Sequence, residues 1–502
     1  MSIDPSREFA EKNVKAILEW LAVAHGRNEP EDASGLQLQL LALRNTPVST
    51  TQRIKLLDLL YGHAVQLTMA QLPTLHETTL PVSRRLRLTV RTLQELLETL
   101  AQDYLTTLSE LFDPQPEGKP RSPHSTLRRV TQCLAWHLMI SHLVASPVTP
   151  GIWQQFHAAF RTARRLDLGD TTTPGDERRI EQTYASTLLM AIAQPSSFSA
   201  KELEFIANYI DGCTKAVEIL DEAPSGRAGV FWIDPDKDAP PQALTRRVPP
   251  PEAQVFYFAS DLLAQGAADH LTALEGGASA ADLGLPTFAD SQAGHGVLRR
   301  LAALWGNPVK RKFPRRRQSY RADLCAGLEN LWQLLKRPEE PPEFSEWIVT
   351  NESPDGYSLM HVSGTTTALR VGDIVAVRPL EGHDPTDGPW HICVVRWALT
   401  ESHEHVEIGL QVLAPRGLPV ELALPHHPSG PDKVDAILLP QTPPLRPQQT
   451  LIVPAGAVDD QAQTLVVVIE AHNTEVRELR ATRINEQTSN IEVFTVVPNE
   501  KV

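Results

Sequence analysis

The stretch KRKFPRRRQSYR, residues 310–321, places seven Lys and Arg residues in twelve positions of a 502-residue chain whose formal net charge is −14. Within it, Arg317 and Arg321 stand four positions apart. An Arg guanidinium offers a planar fork of N–H donors that fits phosphate oxygens with two hydrogen bonds, whereas a Lys ammonium acts as a point charge. This local concentration of arginine in an acidic chain predicts a confined anion-binding site, because a general polyanion binder needs a broadly basic face.

A second polar pattern follows the basic stretch by thirty residues. Asn351, Ser353 and Gly356 form an N-x-S-x-x-G sequence directly after a predicted strand. The Asn amide offers donors and an acceptor, and the Ser hydroxyl can act as either. The Pro and Asp before the glycine favour a turn, and glycine tolerates backbone angles that other residues do not. We therefore expect a tight polar turn that presents hydrogen-bonding groups.

The two patterns together resemble the PilZ domain, a bacterial receptor module for cyclic di-GMP, whose motifs are R-x-x-x-R and D/N-x-S-x-x-G. The resemblance covers residues 310–420, about a fifth of the chain, and the later stretch HVEIGLQVL is similar to the closing strands of that barrel. It implies a six-stranded β-barrel with cyclic di-GMP as ligand and no further cofactor. Arg316 lies beside the minimal motif and is included as a further contact, so the predicted ligand-binding residues are Arg316, Arg317, Arg321, Asn351, Ser353 and Gly356.

The ligand that the resemblance implies has two phosphates and two guanines. The O6 and N7 atoms of guanine accept an Arg fork with two hydrogen bonds, a contact worth roughly 1–3 kcal/mol of base discrimination. The arginines are implied to clamp guanine and phosphate, while the Asn–Ser turn contacts both groups. We expect Arg317 and Arg321 on a flexible linker that joins two halves of the chain. If this linker became ordered on ligand binding, the relative orientation of the two halves of the chain would change.

Each pattern alone has an ordinary structural explanation. A basic run beside proline is typical of a solvated linker, and N-x-S-x-x-G turns are common in β proteins. The main alternative is therefore a scaffold or adaptor with a degenerate barrel that binds no nucleotide. A weaker alternative is single-stranded nucleic-acid binding through the basic run, which the net charge of −14 disfavours.

The sequence shows no catalytic constellation. It has no G-x-S-x-G, H-E-x-x-H or Walker pattern, so we predict a protein without enzymatic activity. His403 and His405 share a predicted strand face but have no third ligand at a useful spacing, which disfavours a metal site. The four cysteines are far apart and are interpreted as buried thiols. The N-terminus lacks a signal-peptide core and no long apolar run occurs, so we expect a cytoplasmic chain without a membrane span.

Residues 1–222 are predicted to be helical, as either a bundle or a solenoid that contacts an unidentified protein partner. The stretch RLTVRTLQELLETLAQDYLTTLSELF has an apolar residue at every third or fourth position. Thr149 and Pro150 are expected to start one helix, and Ser199 with Glu202 to form a capping box at another.

Residues 223–502 follow the helical region with segments of strand character, so we predict a multidomain α+β protein. Residues 223–308 are rich in proline, with expected strands at 230–233 and 255–258 and expected helices at 259–275 and 292–305. Beyond residue 345 the apolar period changes from 3.6 to 2, which is typical of short antiparallel strands. We assign 309–425 to the PilZ-like barrel and 426–502 to a second β-domain, interpreted as a degenerate barrel without its own arginine pair.

One segment is ambiguous in sequence. Residues 322–340 should supply the first strand of the barrel, but Leu324, Leu328, Leu331 and Leu335 keep helical spacing. Both assignments stay open at this point.

Overall fold

An N-terminal helical domain leads to a small sheet with two helices, and then to two closed antiparallel barrels. This architecture confirms the predicted multidomain α+β class. The structure is a computed structural model that describes residues 5–23, 29–112, 123–171, 178–213, 217–306, 313–364, 369–380, 388–401, 405–423, 433–443, 446–458, 464–470 and 474–499.

The helical domain buries the apolar stripes that its sequence predicts. On α4, the predicted positions from Val90 to Leu108 are all buried, while the side chain of Leu111 lies outside the described residues. The helices are α1 (Pro5–Ala22), α2 (Glu29–Arg44), α3 (Thr50–His76), α4 (Arg84–Phe112), α5 (His124–Leu143), α6 (Ile152–Arg165), α7 (Ile180–Ile192) and α8 (Ala200–Cys213).

Helix α5 is the centre of this domain. It is apolar on several sides, and Cys133, Leu134 and Leu138 are fully buried. It packs against α3, α4, α6, α7 and α8. A solenoid would limit each helix pair to its sequence neighbours, so the domain is a bundle around α5.

The two predicted helix starts have different outcomes. At α8 the capping box is confirmed: the Ser199 N–H donates to Glu202 Oε2 (2.8 Å), and the Glu202 N–H donates to Ser199 Oγ (3.3 Å). At α6 the prediction is wrong, because Gly151 occupies the N-cap with φ +91°. The Asp238 carboxylate, from a distant loop, accepts the Gly151 N–H at 2.6 Å and so replaces a local cap.

The proline-rich segment forms a small antiparallel sheet that precedes two helices. Strand β1 (Val230–Ile233) pairs with β2 (Gln242–Ala243) on one side and β3 (Phe256–Ala259) on the other. The predicted pairing of the two aromatic strands is confirmed, and β2 is an addition. Helices α9 (Asp261–Glu275) and α10 (Gln292–Gly306) follow, close to their predicted bounds.

The first barrel resolves the ambiguous segment as a strand followed by a helix. Its first strand ends at Ala326 and helix α11 (Leu328–Lys336) follows, so Leu324 is a strand residue despite its helical spacing. The strand order is β4-β5-β6-β9-β8-β7. The strands are β4 (Arg316–Ala326), β5 (Ser345–Ser353), β6 (Gly356–Ser363), β7 (Ile374–Pro379), β8 (His391–Thr400) and β9 (Val406–Ala414).

The second barrel is closed and has the strand order β10-β11-β12-β15-β14-β13, which is the order of the first barrel repeated. Its first strand starts at Leu418, so the change from one barrel to the other precedes the predicted boundary at residue 425. The strands are β10 (Leu418–Ala423), β11 (Lys433–Leu439), β12 (Thr450–Pro454), β13 (Thr464–Glu470), β14 (Thr474–Gln487) and β15 (Ile491–Pro498).

The barrels share an apolar layer with each other. Trp332 on α11 donates its indole N–H to the Val420 carbonyl of the second barrel (2.9 Å). The layer combines side chains of the first barrel and α11 with side chains of the second barrel: Cys325, Leu331, Leu334, Ile374, Ile392, Leu413, Ile437, Leu439, Ile452, Ile491 and Val493. The first barrel also contacts the helical domain, where the Thr400 N–H donates to the Ala145 carbonyl (2.7 Å).

Within the described ranges, no helix combines the length and apolarity needed to span a membrane. Those same ranges contain no group of three or more His, Cys, Asp or Glu side chains arranged for a metal ion. His403 lies outside the described residues.

Candidate ligand-binding site

The ladder between β4 and β5 brings the two sequence patterns together. Arg317 lies directly opposite Asn351, and Arg316 lies opposite Glu352. Directly opposed residues in an antiparallel pair have Cβ atoms about 4.5–5.5 Å apart. The N-terminal end of β4 therefore adjoins the turn that begins at Ser353.

The side chains at this end are available for a ligand. Arg316 and Arg317 are exposed, and Asn351 is partly exposed. Among the residues that the structure describes, none of these three side chains has a hydrogen-bond or ion-pair partner. Two guanidinium groups and an amide thus stand together with unused donors and one unused acceptor.

A bulge in β4 separates the two arginines of the R-x-x-x-R motif. The register shifts between Arg317 and Tyr320, so β4 carries one residue more than β5 over this interval. Gln318 Nε2 and Tyr320 Oη both donate to Glu352 Oε2, at 3.2 and 3.1 Å. The Glu352 carboxylate therefore fixes the bulge and adds a negative charge beside the site.

The Arg321 side chain already has a partner within the protein. Its guanidinium forms an ion pair with the Glu346 carboxylate on β5, and Ser363 Oγ on β6 donates to the same carboxylate (3.1 Å). The Arg321 side chain remains 65% exposed. Of the predicted arginines, it is thus the one that must exchange a protein partner before it can contact a ligand.

Strands β5 and β6 form a hairpin whose turn residues are Pro354 and Asp355. Ser353 Oγ donates to Asp355 Oδ1 at 2.8 Å, with a second approach of 3.2 Å to the Gly356 carbonyl. The Asp355 carbonyl accepts the Val412 N–H of β9 at 2.9 Å. The serine hydroxyl thus holds the shape of the turn, and a ligand would contact it only as an acceptor or after rotation.

The reason for Gly356 differs from the prediction. Its φ is not in the positive region, so its backbone conformation does not require glycine. A Cβ at this position would instead lie well inside 3.0 Å of the Leu410 carbonyl oxygen on β9. Glycine is needed here because β6 and β9 approach closely.

The predicted flexible location of the arginines is also wrong. Arg316, Arg317 and Arg321 belong to β4, which pairs with β5 on one side and, further along, with β7 on the other. Residues 307–312, the first part of the basic stretch, lie outside the described residues. The site therefore starts from a formed strand, because backbone pairing with β5 already fixes the position of the arginines.

Sequence reasoning missed the acidic residues of the site. Glu346 and Glu352 carry no motif signal in β5, and only the register with β4 reveals which side chains they meet. A further neighbour is His391 on β8, whose Nδ1 lies 2.7 Å from Tyr357 Oη. Burial lowers the pKa of His391, while the nearby Glu352 carboxylate raises it to a smaller extent. Burial therefore favours the neutral imidazole.

The fold and the matched region define the first barrel as a PilZ domain. Residues 333–419 match the family model described as the middle PilZ domain of the cyclic-di-GMP receptor FimW. This match includes Asn351, Ser353 and Gly356 and begins after β4, so Arg316, Arg317 and Arg321 precede it. The recognition of a PilZ domain from sequence is confirmed.

The helical domain has a match of its own. Residues 15–224 match the model described as the N-terminal domain of the cyclic-di-GMP receptor FimW. Over the whole chain, the protein is similar to the cyclic-di-GMP receptor FimW of Pseudomonas aeruginosa. The two are 21% identical over an alignment of 527 positions that covers 89% of this chain and 84% of the relative. The order of a helical domain followed by a PilZ barrel is therefore common to both proteins.

Proposed function

We propose that this chain is a cytoplasmic effector that binds cyclic di-GMP at the β4 edge of its PilZ barrel. The observation that carries the proposal is the cross-strand placement of Arg317 opposite Asn351, beside the exposed Arg316. The same pair of polar groups reaches the two parts of a cyclic dinucleotide. A guanidinium fork fits the O6 and N7 edge of guanine or a phosphate, and an amide fits the remaining donors and acceptors of the base.

Each proposed contact has a role in this scheme. Arg316 and Arg317 bind first, because their side chains are exposed and have no partner among the described residues. Arg321 joins when it exchanges the Glu346 carboxylate for a ligand phosphate, a substitution of one anion for another. Asn351 contacts the base, the Ser353 hydroxyl accepts or donates at the turn, and Gly356 allows β6 to reach β9.

The proposed role is binding without catalysis. The described part of the site contains guanidinium, amide, hydroxyl and carboxylate groups that the β4–β5 ladder and the β5–β6 turn bring together. We expect the output to pass through the helical domain to a protein partner. Support for this comes from exposed apolar side chains on α1 and α2, where Leu18, Leu38 and Leu41 are 44%, 64% and 54% exposed.

Isothermal titration calorimetry with cyclic di-GMP tests the proposal. Wild-type protein is expected to bind with micromolar or tighter affinity, and Arg317→Ala and Arg321→Ala are each expected to lose that binding. Arg416→Ala is a matched control, because Arg416 is an exposed arginine in the connection between the barrels. Equal binding in the wild type and in both site variants would overturn the site at the β4 edge, and absence of binding in the wild type would support a scaffold with a degenerate barrel.

A further inference from the structure

A second cavity lies where the helical domain, α10 and both barrels meet. Its volume is about 560 Å³, within the range of small-molecule sites. It is lined by the end of α3, the first turns of α8 and α10, Arg370 ahead of β7, and the Thr488–Asn490 turn of the second barrel. All four parts of the chain contribute wall residues.

This cavity is remote from the candidate cyclic di-GMP site. Arg370 lies near the start of β7, whose Val375 pairs with Ala326 at the C-terminal end of β4. Arg317 and Asn351 pair at the opposite end of the same strand. Nine residues separate Arg317 from Ala326, and a strand rises about 3.3 Å per residue, so the two sites are roughly 30 Å apart along β4.

Positive charge dominates the side chains of the wall. The Arg370 guanidinium has no hydrogen bond or direct ion pair among the described residues, and Lys201 has only a 4.0 Å approach to Glu77. Glu77 is the one acidic side chain among the described lining residues. His76 also lines the cavity, with Nδ1 at 3.2 Å from Glu204 Oε2. An arginine without a direct partner among the described residues, at a partly open cavity with both polar and apolar walls, is suited to an anion.

The position of Arg370 is fixed by its surroundings. The Asp373 carboxylate accepts the Arg370 backbone N–H at 2.7 Å and a hydrogen bond from the Asn490 amide, which joins the two barrels at the cavity wall. Burial raises the pKa of Asp373, while these hydrogen bonds and the charge of Arg370 lower it. The Arg370 backbone N–H and the Asn490 amide occupy the carboxylate oxygens of Asp373. The guanidinium of Arg370 therefore remains available for another partner.

The backbone adds to this preference. The first residues of α8 and α10, Ala200 with Lys201 and Gln292 with Ala293, line the cavity beside the cationic side chains. The capping box already places the Glu202 carboxylate at the start of α8, and Ser291 Oγ accepts the Gly294 N–H of α10 at 3.1 Å. The earlier N–H groups of both first turns have no acceptor within their own helix, and the helix dipole favours negative charge there. The end of α3 contributes the opposite dipole, so the net preference rests on the two N-termini together with Arg370 and Lys201.

We propose that this cavity binds a small molecule carrying one or two phosphate groups. Ligand there would contact the helical domain, α10 and both barrels at once, so its occupancy would fix their relative positions. The site is independent of the cyclic di-GMP site, since none of its wall residues belongs to the β4 edge or to the 351–356 turn.

Calorimetry on the full chain with inorganic pyrophosphate as the probe tests this site. Wild-type protein is expected to bind the probe, and Arg370→Gln to weaken binding at least about tenfold through loss of a charge-assisted hydrogen bond. Ser489→Glu adds a carboxylate to an exposed position of the wall and is expected to abolish binding without disturbing the core. Arg416→Gln, with the same charge change outside both sites, should bind like the wild type.

Cyclic di-GMP titrations of the same proteins separate this inference from the proposed function. Arg370→Gln should keep cyclic di-GMP binding, and Arg317→Gln should keep pyrophosphate binding. Absence of pyrophosphate binding in the wild type, or equal binding in Arg370→Gln, would overturn the second site while leaving the first untouched. Loss of pyrophosphate binding in Arg317→Gln would also overturn it, because the probe would then occupy the β4 edge.

Discussion

The two barrels repeat one strand order but differ at their first strands. In the first barrel, β4 begins with arginines that face a polar hairpin turn, and its Arg321 pairs with Glu346 on β5. In the second barrel, β10 carries Glu421 and β11 carries Lys433, which form an ion pair at 2.7 Å. Both ion pairs join diagonal neighbours of the first and second strands with the same offset, but the charge on the first strand is reversed. The proposed anion site in the first barrel therefore depends on cations that the first strand of the second barrel does not supply in the same arrangement.

The connections after the second strand of each barrel also differ in whether their polar side chains have partners. In the first barrel, two residues connect β5 to β6, and Asn351 is left without a partner among the described residues. In the second barrel, the connection from β11 to β12 is longer and contains Arg446, which donates to Thr450 Oγ1 at 2.5 Å. Burial lowers the pKa of Arg446 to about 10. Arg446 is thus held by a hydroxyl at the start of β12, within its own barrel.

The largest expected difference between the barrels concerns stability. Gly356→Ala would force β6 and β9 apart at the Leu410 carbonyl and should cost about 3 kcal/mol of unfolding free energy, as overpacking does. Gly456→Ala in the second barrel has open space around the added Cβ and a φ of +73°, so about 1 kcal/mol is expected. Urea unfolding of both variants measures the difference. Equal losses would show that close strand approach is not what distinguishes the first barrel.

An intermediate loss of cyclic di-GMP affinity is expected when the Asn351 amide beside the β5–β6 turn is removed. Asn351→Ala should weaken cyclic di-GMP binding by about tenfold, equal to about 1.4 kcal/mol, because one or two hydrogen bonds to the ligand are lost. Gln441→Ala removes an exposed amide from the corresponding connection of the second barrel and should leave affinity unchanged. Fluorescence titration with labelled ligand compares the two. A loss in both, or in neither, would remove the distinction between the turns.

The smallest effect is expected from the acidic partners of the first strands. Glu346→Gln releases Arg321, whose exposed ion pair should be worth under about 1 kcal/mol, so cyclic di-GMP affinity should rise by about threefold. Glu421→Gln breaks the ion pair at the corresponding ladder position of the second barrel and should have no effect on affinity. Calorimetry at low and high salt checks both variants. Weaker binding in Glu346→Gln would mean that the carboxylate helps the arginine rather than competing for it.

The sequence predicted most strands, left the first strand of the first barrel open between strand and helix, and did not predict the first strand of the second barrel. The stretches that became β5 to β9 and β11 to β15 are short, rich in β-branched and aromatic residues, and separated by turn residues, as strands are. Strand β4 begins with exposed arginines, and its last residues run into a helix, so no single period describes it. Strand β10 is short, contains Pro419 and follows a loop. In both cases, pairing with neighbours outweighs local pattern.

The site was predictable as a set of residues but not as a geometry. Arg317 and Asn351 were placed together from motif order alone, whereas their direct opposition depends on the β4–β5 register. The bulge before Tyr320 and the carboxylates of Glu346 and Glu352 depend on that register as well. The prediction of the α6 N-cap was wrong for a similar reason, because the carboxylate that caps the helix belongs to Asp238, in a loop remote in sequence.

The apolar layer between the barrels limits which substitutions and truncations this chain can accept. Ile374 and Ile392 of the first barrel, with Ile437 and Val493 of the second, are fully or almost fully buried in that layer. A fragment that ended after β9 would present this surface to water and would be prone to aggregation. The second barrel therefore has to retain this hydrophobic face whether or not its own loops contact a ligand. The strands of the second barrel cover an apolar surface of the first, so the stability of the PilZ barrel depends on its neighbour.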